Sequence, residues 1–196
     1  MTGYGVLFPR VDDTPANLVH DGSLWDEAKL VELSMKWHFL TPWPDTCQGI
    51  KELNRLFYTC TLSNGNVSLL EDMVKHGKIE FTHVFSAEMF KSYKPNPKVY
   101  LGAAEKLGLK PSECVMVAAH LDDLKHAKAC GFRTIYVERP QEERYPELRY
   151  QGIADVWVDQ GEQGFVTAAE RLGIQVLSQR KRSGTDPGAH LASQAL

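Results

Sequence analysis

The sequence lacks the paired cysteines that close disulfide-rich folds or hold structural metals. Its four cysteines, at positions 47, 60, 114 and 130, are widely separated and form no C-x-x-C motif. Cysteines scattered in this way usually serve as small apolar residues buried in the core of a cytoplasmic protein. We therefore predict a cytoplasmic protein without disulfide bonds.

Long apolar runs and a strong net charge are also missing. No run approaches the ~20 residues needed to span a bilayer, and the N-terminus lacks a secretory pattern. The formal net charge of −3 is too weak to favour nucleic acid or an anionic membrane as a partner. With 196 residues and 43% hydrophobic residues, the chain predicts one globular domain, alone or with a small appendage.

Short apolar stretches alternate with helical patterns along most of the chain. The predicted strands cover residues 57–62, 83–86, 114–119, 134–137 and 155–158. The predicted helices between and after them cover residues 67–76, 97–107, 122–130 and 165–172. Continuous apolar strands that alternate with helices are typical of a parallel sheet covered on both faces, so we predict an α/β fold.

The two ends of the chain differ from this pattern. A helix is predicted over Leu24–Lys36, with Ser23 as its N-cap, and Asp45 is predicted to cap a short helix that ends near Asn54. Residues 178–196 are polar and small, which predicts a disordered tail. The basic triplet at residues 180–182 fits a solvated tail better than an address signal.

Polar side chains follow three of the predicted strands. Ser63 and Asn64 follow one strand, Lys94 lies in the loop after the next, and His120 and Asp123 follow a third. The carboxyl ends of parallel strands form the ligand crevice of such folds. We therefore expect these side chains to converge there.

Each of these residues has a structural as well as a functional interpretation. Ser63 and Asn64 could hold an oxyanion, or Asn64 or Asn66 could simply cap the next helix. Lys94 could be solvent-exposed, or fixed by the following proline so that it points into the crevice. His120 could be a general base or a hydrogen-bonded cap.

The adjacent pair Asp122 and Asp123 lies at the start of a predicted helix, where carboxylates interact favourably with the helix dipole. We expect one of the two to cap the helix. The other can face the crevice and pair with Lys94.

Four stretches together resemble one known family. They are Trp37–Asp45 (WHFLTPWPD), Thr61–Asn66 (TLSNGN), Tyr93–Tyr100 (YKPNPKVY) and Val117–Leu124 (VAAHLDDL). From about Trp37 to Gly173 the chain is similar to the type II 2-haloacid dehalogenases of the haloacid dehalogenase (HAD) superfamily, especially the fungal members. The resemblance implies a three-layer, Rossmann-like core with a parallel sheet.

The resemblance also implies roles for individual residues. Ser63 and Asn64 match the motif that binds the substrate carboxylate. Tyr100 matches the tyrosine that follows the family's lysine, and it is predicted to bind the substrate. Lys94 matches the lysine that restrains the nucleophile, and Asp123 the acid that pairs with it. His120 stands where the family has asparagine or histidine.

Metal and cofactor are both predicted to be absent. The family's Mg²⁺-dependent phosphatases carry a carboxylate at the position of Ala119, and a hard cation needs such oxygen ligands. Phosphatase activity is therefore not expected.

The family's first motif, which carries the nucleophilic aspartate, has only a degenerate match. Aligning Tyr4–Phe8 with it places Thr2 at the nucleophile position, and no aspartate precedes Asp12. A threonine hydroxyl is a poor nucleophile without an adjacent base. Asp12 or Asp13 is a weaker alternative, because neither follows a predicted strand.

This departure predicts an N-terminally truncated family member. Residues 1–36 would form a degenerate first motif and a strongly shortened cap, with the first strand missing or degenerate. Residues 37–177 would form the HAD-like core, and residues 178–196 the tail.

Three functions follow from this interpretation. The first is non-covalent acid–base chemistry on a small organic molecule (a cyclisation, isomerisation or dehydration in secondary metabolism), with His120 or Asp123 as base and Lys94 as oxyanion stabiliser. The second is an inactive protein that binds a ligand or partner, with a homodimer covering the exposed sheet edge. The third is an (S)-2-haloacid dehalogenase whose start codon is misplaced.

Overall fold

Every strand in the described part of the protein runs parallel to its neighbours. The structure is a computed structural model that describes residues 26–176. Its strands are β1 (Cys60–Ser63), β2 (His83–Ser86), β3 (Val115–Ala118), β4 (Arg133–Val137) and β5 (Val156–Val158). Its α-helices are α1 (Glu27–Met35), α2 (Thr46–Leu53), α3 (Val67–Gly77), α4 (Pro97–Lys106), α5 (Leu121–Ala129) and α6 (Gly164–Arg171).

The strands form two separate parallel sheets. One has the order β1-β2 and the other the order β3-β4-β5. In the first, Cys60 is in register with His83; in the second, Val115 is in register with Arg133. The predicted α/β fold with parallel strands is confirmed, and within residues 26–176 no strand joins β1 to β3.

Helices cover the sheets on both faces, as a parallel sheet requires. On one face α2 packs on α6, where Ile50 and Leu53 meet Phe165. The two helices approach closely at Gly49, where a side-chain Cβ would collide with the Cβ and backbone of Phe165. On the other face, α4 and α5 bury Tyr100 and Ala127 in one cluster.

The first described helix begins later than predicted. Ser23, the predicted N-cap, lies outside the described residues, and Asp26 caps α1 by accepting a hydrogen bond from the Lys29 backbone N–H at 2.7 Å. α1 has no buried residue. The 3₁₀-helix Lys36–Phe39 follows it, and the chain then packs Trp37 and Leu40 against the α3 residues Leu69 and Met73.

Several predictions fall on residues that the structure does not describe. They concern Thr2, Asp12, Asp13 and the tail over 178–196. The proposed domain boundaries accordingly stay predictions.

Two predictions about composition can be compared with the described residues. Each of the four cysteines is a free thiol, but each is half-buried rather than fully buried. None of the helices between residues 26 and 176 has the length and apolar character needed to cross a membrane.

Candidate active site

Lys94, Asp123 and Tyr100 form a hydrogen-bonded cluster. The Lys94 ammonium donates to Asp123 Oδ2 at 2.6 Å, and the Tyr100 hydroxyl donates to Asp123 Oδ1 at 2.7 Å. The Lys94 and Asp123 side chains are only 7% and 12% exposed. The predicted pairing of Lys94 with Asp123 is confirmed, while the catalytic roles of both residues stay predictions.

Local structure explains why the three side chains meet. Asp123 lies in the first turn of α5, which begins where β3 ends. Tyr100 lies on α4, which begins with a proline after the N-cap Asn96. Burial and the neighbouring Asp123 carboxylate raise the pKa of Tyr100 far above its usual range, so this hydroxyl stays protonated and donates.

Asn64 positions the Lys94 loop. Its side-chain Oδ1 accepts from the Lys94 backbone N–H at 2.7 Å, and its Nδ2 donates to the Lys94 carbonyl at 3.1 Å. Ser63 is fully buried, and its hydroxyl oxygen accepts from the Gly65 N–H at 3.0 Å. Both residues lie at the carboxyl end of β1 as predicted, and their predicted contact with a substrate carboxylate stays a prediction.

His120 stands at the N-cap position of α5 without capping it. Its Nε2 atom is buried, has no hydrogen-bond partner, and lies 3.5 Å from Glu142 Oε2. Burial lowers the pKa of His120, while the negative charges of Glu142, Glu143 and Asp123 partly oppose that shift. The imidazole is therefore neutral at pH 7, the form that a general base requires.

The loop after β4 supplies two site residues that the sequence analysis missed. Glu142 faces His120, and Glu143 Oε2 accepts from the Leu121 N–H at 2.8 Å. Glu143 thus caps α5, a role expected of Asp122 or Asp123. Asp122 instead lies 3.5 Å from His126 on the exposed side of the same helix. The sequence signal that could have identified these two residues is the acidic pair Glu142–Glu143, which follows the strand predicted over residues 134–137.

A second buried ion pair lies near the starts of α2 and α6. Both oxygens of Asp45 accept from the Arg139 guanidinium at 2.7 Å, and one also accepts from the Phe165 N–H at 2.7 Å. Asp45 precedes α2 as predicted, but its side chain makes no capping bond to that helix. Burial acts to raise the pKa of Asp45, but the hydrogen bonds from Arg139 and Phe165 outweigh this effect, so the pKa is lowered overall.

An apolar groove of about 240 Å³ separates β1 from β3 and extends to Asp123. The two strands form its sides, and helices of both layers form its floor and roof. The strand residues that line it are Cys60, Thr61 and Leu62 of β1 and Val115, Met116, Val117 and Ala118 of β3. The Lys94–Asp123–Tyr100 cluster therefore adjoins one end of an apolar groove.

Acidic, histidine and cysteine side chains are not grouped for metal binding in this part of the protein. Among residues 26–176, no set of three or more of them is placed to hold an ion. At the position where the resemblance implies a carboxylate in the Mg²⁺-dependent phosphatases, this chain has the buried Ala119, whose side chain offers no oxygen ligand.

Residues 8–131 match the haloacid dehalogenase-like hydrolase family, and the protein belongs to that family. Among curated relatives, (S)-2-haloacid dehalogenase 4A of Burkholderia cepacia is 31% identical over 126 residues, covering 60% of this chain and 54% of the relative. The chain spans about half the length of the curated relatives it matches. The fungal type and the truncation predicted above stay predictions.

Solved structures agree with this assignment. A crystal structure of an L-2-haloacid dehalogenase matches with a TM-score of 0.69 and 33% identity, covering 79% of this chain and 66% of that one. The Xanthobacter autotrophicus L-2-haloacid dehalogenase with chloropropionic acid covalently bound matches with a TM-score of 0.62 and 25% identity, covering 78% and 69%.

Proposed function

We propose that this protein hydrolyses the carbon–halogen bond of small 2-haloacids through a covalent ester. The observation that carries the proposal is the buried Lys94–Asp123–Tyr100 cluster at the end of the groove. The similarity to haloacid dehalogenases, one of them with chloropropionic acid covalently bound, supports the same chemistry.

The reaction has two steps. A carboxylate oxygen of the protein attacks C2 of the haloacid, and the electrons of the carbon–halogen bond leave with the halide. Water then attacks the carbonyl carbon of the ester, which releases the 2-hydroxyacid, restores the carboxylate and gives up one proton to the solvent. One oxygen of that carboxylate comes from the water.

Lys94 is suited to hold negative charge during both steps. An ammonium has three N–H donors, and one of them goes to Asp123 Oδ2. The others can orient the nucleophilic carboxylate or the substrate. Because Lys94 is nearly buried, its charge acts through little water and stabilises an anion more strongly than an exposed lysine would.

Asp123 is not placed to be the nucleophile. Both of its oxygens accept hydrogen bonds, from Lys94 and from Tyr100, which hold the carboxylate in place and lower its reactivity. We therefore place the nucleophile outside residues 26–176, at Asp12, Asp13 or a residue encoded upstream of Met1.

Halide release from (S)-2-chloropropionate tests the proposal. We expect release by the wild type and a loss of roughly 100-fold or more in Lys94→Met, because the preorganised positive charge is removed. Lys98→Met is the matched control, since Lys98 is exposed on α4. Equal rates in Lys94→Met and wild type would contradict the proposal. If the wild type releases no halide, the same assay is repeated with a chain extended by the upstream reading frame.

A second candidate is non-covalent acid–base chemistry by His120. Its support is the neutral, buried imidazole whose Nε2 has no hydrogen-bond partner. This function requires that His120→Gln abolish product formation from a non-halogenated substrate while no halide is released from haloacids. Retention of product formation in His120→Gln, Lys94→Met and Asp123→Asn alike would exclude it.

A further inference from the structure

The loop that follows β4 is fixed at two points. Near its start, the Arg139 side chain donates to both oxygens of Asp45, and the Arg139 carbonyl accepts from the Glu142 backbone N–H at 3.3 Å. Further along, Glu143 accepts from the Leu121 N–H at the start of α5. Glu142 therefore lies in a short segment that is anchored on both sides.

The contact between Glu142 and His120 selects the tautomer of the imidazole. Glu142 Oε2 lies 3.5 Å from His120 Nε2, and this nitrogen is buried. If Nε2 carried the lone pair of the neutral ring, two acceptors would face each other and repel. The contact therefore favours the tautomer in which Nε2 is protonated and Nδ1 carries the lone pair. A separation of 3.5 Å is long for a hydrogen bond, as is common for catalytic pairs before the substrate binds.

Other charged groups also act on the imidazole. The charges of Glu143 and Asp123 favour its protonated form, and the charge of Arg144 opposes it. Both oxygens of Glu143 accept from backbone N–H groups, and both oxygens of Asp123 accept from side chains of the cluster described above. Glu142 is the carboxylate that approaches a ring nitrogen.

His120 lies next to the Lys94–Asp123–Tyr100 cluster. It directly precedes α5, and Asp123 lies in the first turn of that helix, close enough for its charge to act on the imidazole. Asp123 in turn holds the Lys94 ammonium. A base on His120 is therefore placed beside the positive charge that the proposed reaction uses.

We propose that Glu142 is a positioning residue that holds His120 as the general base for the second step of the reaction. This inference rests on the proposed function. His120 Nδ1 takes a proton from water as the water oxygen bonds to the carbonyl carbon of the ester. The tetrahedral intermediate then expels the C2 oxygen of the product, which takes this proton from the imidazolium. The remaining proton of the water leaves the restored carboxyl group for the solvent.

Chloride release and the intact protein mass separate the two steps. With (S)-2-chloropropionate, His120→Gln should release about one chloride per protein molecule and then slow by roughly 100-fold or more, while the ester accumulates on the protein. Glu142→Ala should keep the rate of the first step and slow the second by roughly tenfold or more. Glu147→Ala, at an exposed position shortly after the same loop, is the matched control and should turn over like the wild type.

Two results of this assay would overturn different claims. Continuous turnover by His120→Gln without accumulated ester would overturn the inference and leave the proposed reaction intact. Absence of chloride release from the wild type and the extended chain alike would overturn the proposed reaction, and the inference with it.

The ring nitrogens of His120 supply a readout that requires no turnover. At a pH above the His120 pKa, ¹⁵N NMR of the wild type should show the Nε2-protonated tautomer, and Glu142→Ala should show a mixture of both tautomers. Glu147→Ala should keep the wild-type tautomer. A glutamate that only stabilises the loop would lower the stability of Glu142→Ala without changing the tautomer. That result, or an Nδ1-protonated ring in the wild type, would overturn the inference.

Discussion

The Asn64 side chain holds the Lys94 backbone from both sides, with hydrogen bonds to its N–H at 2.7 Å and its carbonyl at 3.1 Å. The loop that carries the lysine is thereby tied to the carboxyl end of β1. The Lys94 ammonium is in turn tied to Asp123 at the start of α5. Asn64, at the end of β1 in one sheet, is thus connected through Lys94 to Asp123, which follows β3 of the other sheet.

Asn64→Ala should free the Lys94 loop. Losing both hydrogen bonds should lower the free energy of unfolding by about 1–3 kcal/mol, and misplacement of the ammonium should lower halide release by up to roughly 100-fold. The control is Asn66→Ala, which removes the α3 N-cap and costs about 1 kcal/mol. Urea unfolding and halide release measure both effects. A fall in turnover in Asn66→Ala equal to that in Asn64→Ala would contradict this role.

Asp45→Asn should destabilise the protein strongly at neutral pH. It leaves the buried Arg139 guanidinium without its carboxylate, a change that costs about 3–5 kcal/mol. Because the pKa of Asp45 is lowered in the folded state, its stabilising contribution is complete above the unfolded value near 3.8 and is lost as the pH falls through the folded value. The stability difference between the wild type and Asp45→Asn should therefore shrink below about pH 4. A difference that is constant from pH 7 to pH 3 would contradict this.

The His120 imidazole should titrate below the usual value of 6.5. The unfolded chain then binds a proton that the folded protein does not, so stability should fall as the pH drops from 6.5 through the folded pKa. Replacing His120 with Gln should remove this component. NMR titration of the ring proton, assigned by its loss in that variant, measures the pKa.

Glu142→Gln should lower the pKa of His120 further, since the Glu142 charge favours the protonated imidazole. Glu105→Gln, at an exposed position on α4, is the control and should leave it unchanged. An upward shift in Glu142→Gln would show that the two side chains do not interact as described.

Gly49→Ala should separate α2 from α6. Its Cβ would meet the Cβ and backbone of Phe165, which cannot move independently, and overpacking of this kind costs about 1–3 kcal/mol. At Gly102 the new Cβ would meet only the ring of Phe90. Gly102→Ala should therefore cost less. Thermal unfolding of the two variants tests the order, and the reverse order would contradict the packing described here.

Local sequence patterns predicted most of the fold. The alternation of apolar runs and helical spacing located all five strands of the described region, and β2 was predicted with its observed bounds. The Lys94–Asp123 pair was also predictable, because both residues follow parallel strands whose carboxyl ends meet at one edge.

Contacts between distant parts of the chain were not predictable in this way. Asp45 looks like a helix cap until the fold brings Arg139 to it, 94 positions later in the sequence. Glu143 caps α5 from 22 positions away, so no local spacing distinguishes it from Asp122 or Asp123. The groove is likewise formed between β1 and β3, which are distant in the sequence, so the local pattern of neither strand predicts it.

Mass spectrometry of the protein after turnover in H₂¹⁸O tests the central claim most directly. Covalent catalysis transfers an oxygen of the nucleophilic carboxylate to the product and replaces it with one from water. With (S)-2-chloropropionate we predict ¹⁸O in one carboxylate-bearing peptide outside residues 26–176, incorporated roughly 100-fold or more slowly in Lys94→Met. Chloride release without ¹⁸O in any peptide, or with ¹⁸O at Asp123, would contradict the account.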